Sequence, residues 1–234
     1  MSRVISGLPS GHEKTAQVRS MFDAIAPRYD LVNRVMTFGL DLRWRRQAVH
    51  ALAVPEGSVV LDVACGTGDF LVNLRSSGYR ALGVDLSWGM LRAAHSQTPL
   101  VQSDAEQLAI ADASVDGITC GYALRNVAEL DTLFAEMARV VRPGGRISLL
   151  EVAEPEGGML RAGHRVWFRR AVPAIGGLLS DRSAYRYLPE STAYLPSTSE
   201  LRTLLVDAGF SAVNHHALSG GLSQVLTATR SGKS

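Results

Sequence analysis

A glycine-rich turn preceded by an acidic residue is the part of this sequence with the clearest potential for chemistry. Asp62 closes a short apolar run and is followed by the turn Gly66-Thr67-Gly68. Two glycines remove Cβ atoms where a ligand would collide with the backbone, and a helix that begins after such a turn offers free amide groups. The sequence therefore predicts a ligand-binding loop, in which Asp62 can accept from an ammonium group or a backbone donor.

The residues after this turn favour a nucleoside over a dinucleotide. A dinucleotide-binding turn needs a third glycine, and Leu71 stands at that position. Asp85 ends the next apolar run, where its carboxylate can accept from both hydroxyls of a ribose. Asp104, followed by Ala105, ends a third run and can accept from an adenine amino group. Three acids at strand ends, together with the glycine turn, predict a site for S-adenosylmethionine.

Such a site requires parallel strands that end at one edge of a sheet. Between residues 58 and 152, short β-branched or aliphatic runs alternate with helical patterns, which predicts βαβ units. A last helix and an antiparallel hairpin should close the sheet. The expected fold is therefore α/β, a Rossmann-like doubly wound sheet of seven strands. The expected strands are 59–63, 80–85, 100–103, 116–121, 146–152, 212–218 and 222–229, with the last helix at 199–208.

Two segments lie outside this frame. Residues 15–53 have helical apolar spacing and should form an N-terminal helical cap after a flexible terminus of residues 1–14. Residues 154–196 form an insertion before the last helix. We expect one domain over residues 15–234, with a cofactor-binding core at 58–152 and the closing helix and hairpin at 199–230.

The insertion carries a basic helical face. Arg161, Arg165 and Arg169 recur every fourth residue, so they share one side of the expected helix. This pattern is typical of a surface helix that covers core, and also of a lid or a helix on a membrane surface. The sequence leaves both interpretations open.

The composition indicates one soluble globular domain. Of 234 residues, 46% are hydrophobic and 20% are charged, with a net charge of +2, which excludes a disordered or collagen-like chain. There is no apolar run of about 18 residues and no signal-peptide pattern, so a cytoplasmic location is expected. Charge is unevenly distributed, because an acidic middle (51–154, net −6) lies between basic segments (1–50, +4; 155–190, +3).

Several other classes of site are not expected. Cys65 and Cys120 are the only cysteines, too few for a disulfide framework or a zinc cluster. His215-His216 have no carboxylate at metal-ligand spacing, so no metal site is predicted. Aromatic residues make up only 6% of the chain and do not alternate with basic ones, which argues against nucleic-acid binding.

Several motifs carry a resemblance to known enzymes. Residues 60–69, Gly83 to Ser87 and Pro143-Gly144-Gly145 resemble class I S-adenosylmethionine-dependent methyltransferases. Three further motifs make the chain similar to the ubiquinone/menaquinone biosynthesis C-methyltransferases. This resemblance covers the chain from about residue 15 to residue 230. These motifs are Met21 to Asp30, Leu124-Arg125-Asn126-Val127, and Tyr185 to Ser191 with Gly220-Gly221.

The resemblance implies methyl transfer from S-adenosylmethionine to a ring carbon of a polyprenylated hydroquinone, with demethylmenaquinol as the leading acceptor. It implies that Arg125 and Asn126 handle the phenol proton through water, although a simple ion pair would also explain Arg125. It implies an acceptor pocket between the N-terminal helices and residues 154–196. The cofactor residues are then Asp62, Gly66, Thr67, Gly68, Asp85, Asp104, Ala105 and Gly121, and the acceptor residues are Tyr29, Tyr122, Tyr185 and Tyr187.

The chain departs from the family motif at two positions. Gly121 and Ala123 stand where the family has serine and glycine. Two alternatives therefore stay open, namely a methyltransferase for another phenolic or natural-product acceptor, and a non-catalytic S-adenosylmethionine-binding subunit of a quinone-biosynthesis complex. A lipid-tailed substrate also predicts peripheral contact with an anionic membrane at its inner face. A homodimer stays open.

Overall fold

The computed structural model describes residues 11–155, 157–167 and 191–232. The N-terminal cap consists of α1 (Gly11–Ile25), a short 3₁₀ turn (Ala26–Arg28), α2 (Tyr29–Thr37) and α3 (Leu40–Leu52). Helix α1 begins four residues before the start expected from the apolar spacing, so Gly11 to Lys14 are helical. Helix α2 stops because Phe38 and Gly39 both adopt left-handed conformations, which lets α3 leave in a new direction.

A seven-stranded sheet forms the centre of the molecule, as predicted. Its spatial order is β3-β2-β1-β4-β5-β7-β6. The strands β1 to β5 pair in parallel, and β7 lies antiparallel between β5 and β6. The strands are β1 (Val59–Val63), β2 (Arg80–Asp85), β3 (Leu100–Gln102), β4 (Val115–Gly121), β5 (Val141–Val152), β6 (Phe210–Leu218) and β7 (Ser223–Arg230).

Helices connect the strands on both faces of the sheet. Ser87 caps α5 by accepting from the Met90 amide. Ser197 and Glu200 form a reciprocal capping box at the start of α8, and Gly209 follows its end at a φ of +89°. These helices are α4 (Asp69–Ser76), α5 (Trp88–Ala93), α6 (Leu130–Val140), α7 (Gly158–Val166) and α8 (Thr198–Asp207).

Alternation along the strands divides the core into two layers. Leu61 and Val63 face the cluster that contains Phe134 of α6 and Leu205 of α8. Val60 faces the opposite cluster, which includes residues of α3 and α4. Each strand residue points to the face opposite its neighbour, so both faces of the sheet are covered. The turns at the strand ends are consequently held between two packed layers.

The fifth strand differs from the sequence prediction. We expected it to begin at Arg146, after the turn Pro143-Gly144-Gly145, but β5 begins at Val141. Val115 pairs with Val141 and Gly117 pairs with Arg146, so the extra residues form an irregularity within the ladder. Gly144 accommodates it at a φ of +80°. The predicted start of the strand was wrong because pairing with β4 already begins at Val141, before the glycines, and continues after them from Arg146.

No helix among the described residues is long and apolar enough to cross a membrane. Of the basic face predicted in the insertion, Arg161 lies in α7 and its Nε donates to Glu154 Oε1 at 3.2 Å. Arg169 lies outside the described residues, and the arrangement of the three arginines stays a prediction.

Candidate active site

A cavity of about 750 Å³, open to solvent, lies at the carboxyl ends of the parallel strands. Helix α1 and the loops after β1, β2, β3 and β4 form its walls. Eight residues that the sequence placed in the site line it together: Tyr29, Gly66, Asp85, Asp104, Ala105, Gly121, Tyr122 and Asn126. Parallel strands bring their ends to one edge, which explains why residues so distant in sequence meet there.

Asp85 holds the glycine turn against the end of β2. Its Oδ2 accepts from the Gly66 amide and its Oδ1 accepts from the Ser87 amide, both at 2.8 Å. Burial raises the pKa of this carboxyl, while the two backbone donors act in the opposite direction. Each oxygen keeps a further lone pair, so the carboxylate can also accept from hydroxyl groups of a ligand.

Asp62 lies beneath the cavity and does not form part of its wall. The side chain is buried, and its Oδ1 accepts from Thr119 Oγ1 at 2.8 Å. Within the described residues, its Oδ2 has no hydrogen-bond partner. Burial raises the pKa of Asp62 to about 8, and the nearby carboxylates of Asp85 and Asp69 add to that shift. At neutral pH the Asp62 carboxyl is therefore largely protonated.

Thr67 and Gly68 also contribute to the turn without lining the cavity. Thr67 Oγ1 donates to Asp30 Oδ1 at 2.7 Å, which connects the turn to the N-terminal cap. Gly68 has a φ of +95°, and a Cβ there would lie 3.0 Å from Ser96 Cβ. Both positions shape the loop. Thr67 does so through its hydrogen bond, and Gly68 does so because glycine tolerates a backbone conformation and a close contact that other residues would not.

At the end of β3, Asp104 folds the loop locally. Its Oδ1 accepts from the Glu106 amide at 2.9 Å, in the manner of an Asx turn. The neighbouring Ala105 lines the cavity. This part of the wall therefore combines a carboxylate with a small apolar surface, a combination that suits the amino edge and the face of a purine.

The presence of glycine at position 121 has a steric explanation that the sequence did not reveal. A Cβ at this position would overlap the ring of Phe70, which is buried in α4. The family motif has a serine at this position, and the Phe70 ring fills the space that the serine side chain would need. Ala123, the second departure, is buried and lines the cavity.

Tyr122 occupies a strained backbone conformation in the cavity wall. Its φ is +59°, which is uncommon for a bulky residue and is found mostly where function or packing enforces it. Its amide donates to the Leu150 carbonyl at 2.7 Å, and the guanidinium of Arg45 lies 5.3 Å from its ring centroid. Burial raises the pKa of the Tyr122 phenol. Tyr122 therefore acts as an anchored, neutral part of the wall.

Arg125 forms the buried ion pair that the sequence left open as an alternative. Its Nη1 contacts Glu151 Oε1 in the core and donates to the Tyr122 carbonyl at 2.9 Å. Its Nε donates to Ser191 Oγ at 3.3 Å. Arg125 is only 6% exposed and does not line the cavity. Its guanidinium is thus fixed behind the wall.

Asn126 lines the cavity and carries a buried acceptor atom that has no partner among the described residues. Its Nδ2 donates to the Tyr122 carbonyl at 3.3 Å, which assigns the amide orientation. The opposite atom, Oδ1, is buried and has no partner among the described residues. Buried acceptors normally have a hydrogen-bond partner, and a hydroxyl group of a ligand could supply one here.

The predicted acceptor tyrosines fall into two groups. Tyr29 lines the cavity and packs edge-to-face on Phe22, with ring centroids 5.9 Å apart. Burial raises the pKa of Tyr29. Tyr185 and Tyr187 lie outside the described residues, so their roles stay predictions.

Sequence reasoning missed two contributions to the site. Helix α1 supplies Thr15, Val18, Arg19 and Phe22 to the wall; the resemblance implied a pocket beside the N-terminal helices, but the sequence did not identify these four residues. A charge network also joins the cap to α4, in which Arg34 Nη2 donates to both oxygens of Asp69 at 2.7 and 2.8 Å. The pairing of Asp41 with Arg45, at 2.8 Å, had a signal in the i,i+4 spacing. The contact of Arg34 with Asp69 had none.

No cluster of potential metal ligands occurs in the part of the chain that the structure describes.

Comparison with known proteins places this site in context. Residues 10–230 match the model of the ubiE/COQ5 methyltransferase family. The ubiquinone/menaquinone biosynthesis C-methyltransferase UbiE of Syntrophotalea carbinolica is 40% identical over 222 residues, which cover 91% of this chain and 94% of the relative. The demethylmenaquinone methyltransferase of a Roseiflexus species is 40% identical over 233 residues, covering 96% and 98%.

Solved structures agree on the fold. A methyltransferase from Thermotoga maritima superposes with a TM-score of 0.66 at 20% identity, covering 91% of this chain and 99% of that one. The phosphoethanolamine N-methyltransferase 2 of Haemonchus contortus, solved with S-adenosyl-L-methionine, superposes at 0.61 with 13% identity, covering 81% and 53%. At these identities the likeness shows the fold, which is that of class I methyltransferases.

Proposed function

Because the chain belongs to the ubiE/COQ5 methyltransferase family, we propose that it methylates a ring carbon of a polyprenylated hydroquinone, with demethylmenaquinol as the leading acceptor. It is an S-adenosylmethionine-dependent methyltransferase. Two relatives at 40% identity, over more than nine-tenths of the chain, carry quinone-biosynthesis names. The proposal for this chain is supported by that similarity and by Asn126 Oδ1, the unpartnered hydrogen-bond acceptor of a residue in the cavity wall.

The described residues fit the cofactor. The glycine turn leaves room beside Gly66, Asp85 keeps free lone pairs for ribose hydroxyls, and Asp104 with Ala105 suits an adenine. The unpartnered Oδ2 of Asp62 lies in the core beside this turn, where a nearby ammonium would favour its ionised form. When bound, S-adenosylmethionine supplies a methyl group already activated by its sulfonium. The protein then has to align the acceptor carbon and make it nucleophilic.

The observation that carries the proposal is the buried Oδ1 of Asn126, which has no partner within the described residues. We assign it as the acceptor of a phenolic O–H of the substrate. Polarising that bond shifts electron density into the ring and onto the carbon that receives the methyl group, and the phenol proton leaves through water. The new bond to the ring carbon forms as the bond between the methyl group and the sulfonium breaks. The hydrogen on that ring carbon then passes as a proton to the phenolate oxygen, which restores the aromatic ring. Asn126 is thus the residue that touches the reacting molecule.

Arg125 supports this step from behind the wall. The guanidinium group offers hydrogen-bond donors and no acceptor, so Arg125 is not assigned as the base. Its guanidinium, held by Glu151 and by the Tyr122 carbonyl, fixes the turn that carries Asn126. The same positive charge favours a developing phenolate electrostatically. We therefore assign Arg125 as a positioning residue rather than a base.

A turnover assay tests the proposed function. Purified full-length protein with S-adenosylmethionine and a short-chain demethylmenaquinol should give methylated naphthoquinol. Calorimetry with S-adenosylhomocysteine, run on the same preparation, controls for a competent cofactor site. Cofactor binding without any methyl transfer would contradict the assignment, and would favour the alternative of a silent S-adenosylmethionine-binding subunit.

A second acceptor class is favoured by one observation. Ala123 adds a methyl group to the cavity wall where the family motif has glycine. This change narrows the pocket and suits a smaller or differently substituted phenol. Competition between demethylmenaquinol, a benzoquinol and simple phenols separates the two classes, because the proposed function predicts the highest kcat/KM for the naphthoquinol.

We further propose peripheral contact with an anionic membrane, at its inner face. An apolar patch supports this proposal. Phe38 is 74% exposed, and its ring centroid lies 4.8 Å from that of Trp167. The side chains of Leu31 and Val35 on α2 are also exposed. The cap also carries exposed arginines on α3, Arg43 and Arg46. Apolar patches of this kind mark interaction sites, and nearby basic charge favours anionic lipid.

A further inference from the structure

A buried lysine joins the N-terminal helix to the turn that carries Asn126. Lys14 belongs to α1, and its side chain is only 4% exposed. Its Nζ donates to the Val127 carbonyl at 2.6 Å and lies 3.9 Å from the ring centroid of Tyr194. Burying an ammonium group costs free energy unless its contacts compensate, so these contacts must be maintained for the helix to stay in place.

The environment of this amine is balanced between burial and opposite charge. Burial lowers the pKa of Lys14 to about 8, while the carboxylates of Glu106 and Glu129 act in the opposite direction. The Glu129 amide in turn donates to Glu106 Oε1 at 2.7 Å. At neutral pH Lys14 is therefore mostly protonated, and its charge holds segments that are far apart in sequence.

These segments are walls of the cavity. Helix α1 supplies Thr15 and Val18, and the loop that begins at Val127 supplies the wall beside Glu106. Glu106 follows Asp104 and Ala105, the residues assigned to the adenine. Lys14 does not line the cavity itself, so any effect on a ligand must pass through the walls that it connects.

We propose that Lys14 is a positioning residue that holds α1 over the cofactor end of the cavity and thereby controls how tightly S-adenosylmethionine and its demethylated product are retained. The proposal rests on the placement of the cofactor against Asp85 and Asp104. It concerns cofactor binding alone, and it is independent of which phenol accepts the methyl group.

Binding of S-adenosylhomocysteine to the full-length protein, measured by calorimetry, tests the proposal. Lys14→Met should raise Kd about tenfold, since the charge-assisted contact between Lys14 and the Val127 carbonyl is lost. Lys14→Arg keeps the cation and should stay within about twofold of the unmodified protein. Gln17→Met, an exposed change on the same helix, is the matched control and should also stay within about twofold. Equal Kd values for Lys14→Met and Gln17→Met would overturn the proposal.

Chemical labelling of the unmodified protein gives a second readout, which does not require a variant to fold. The chain has only two lysines, Lys14 and Lys233, so an amine-selective reagent followed by peptide mass analysis reports each one separately. Lys14 should react several-fold more slowly once S-adenosylhomocysteine is bound, with Lys233 as the internal reference. A rate for Lys14 that the ligand does not change would overturn the proposal.

The variant Asp85→Asn separates failure of this proposal from failure of the cofactor placement. If Asp85→Asn weakens binding and Lys14→Met does not, the placement stands and the role of Lys14 is contradicted. If Asp85→Asn leaves Kd unchanged, the placement of the cofactor is contradicted. The labelling of Lys14 then shows by itself whether a bound ligand protects the contact that holds α1.

Discussion

At the scale of single residues, the strand-end acids could be predicted and their partners could not. Asp85 and Asp104 follow apolar runs, and parallel strands place such ends at one edge whatever the rest of the chain does. Arg125 pairs with Glu151, which is 26 residues away, and no local pattern encodes that contact. The position of Asp62 below the wall also depends on how the turn packs, which spacing alone does not determine.

Asn126 gives the sharpest prediction at this scale. Asn126→Ala removes the proposed acceptor of the phenol proton, so kcat should fall by about 10²-fold, the usual contribution of one positioned proton-handling group. The Kd for S-adenosylhomocysteine should change little, because the nucleoside contacts remain. Asn214→Ala, an exposed change on β6, serves as the control variant. An unaltered kcat for Asn126→Ala would remove this residue from the mechanism.

Asp62 predicts a pH dependence of stability. Its folded pKa of about 8 lies above the value of about 3.9 for an unfolded chain, so the folded state binds more protons between these limits. The contribution of Asp62 to the free energy of unfolding therefore falls as the pH rises from about 4 to about 8. Urea denaturation at pH 6 and pH 8 should show a smaller loss for Asp62→Asn than for the unmodified protein. Identical losses in both proteins would contradict the raised pKa.

At the scale of elements, aliphatic and β-branched runs predicted central strands such as β1 and β4, because burial on both faces requires continuous apolar sequence. The edge strand β6 is mostly exposed or half-buried, so this reason does not apply to it. The irregularity at Pro143-Gly144-Gly145 escaped prediction, since pairing with β4 overrides the turn tendency of these residues. The resemblance implied that the N-terminal helices border the pocket, but the residues of α1 that line it could not be identified, because amphipathic spacing shows that a helix packs and does not show which surface it covers.

The contact between β4 and α4 makes Gly121 and Phe70 interdependent. Gly121→Ser, which restores the family residue, should lower the free energy of unfolding by about 1–3 kcal/mol, because the new side chain overlaps the Phe70 ring. Phe70→Leu should reduce this penalty, so the double variant should be more stable than the sum of the single effects. Denaturation of all four proteins measures the coupling. Purely additive effects would show that the two positions do not compete for space.

At the scale of the whole molecule, the uneven charge of the sequence has a structural counterpart. The acidic middle of the chain forms the five parallel strands and most of the cofactor wall, while the basic N-terminal segment forms the cap that carries the apolar patch. The patch itself was not predicted, because α2 is short and its exposed residues become neighbours of Trp167 only in the fold.

Binding to vesicles tests the proposed membrane contact. Phe38→Asp should lower partitioning to anionic vesicles about tenfold, since it removes a large apolar side chain and adds a negative charge. Val206→Asp makes the same change at an exposed position on α8, away from the patch, and should have little effect. Equal partitioning of the two variants would contradict a role for this patch. Replacing Arg161, Arg165 and Arg169 with Gln tests the basic helix separately.

The position of the transferred methyl group tests the central claim most directly. The full-length protein is incubated with S-adenosylmethionine that carries a ¹³C methyl group and with a short-chain demethylmenaquinol, and the product is analysed by NMR. We predict that the label is bound to a ring carbon of the naphthoquinol, and that Asn126→Ala greatly reduces its appearance. A label on oxygen, or an unlabelled quinol in the presence of bound cofactor, would contradict the proposed function.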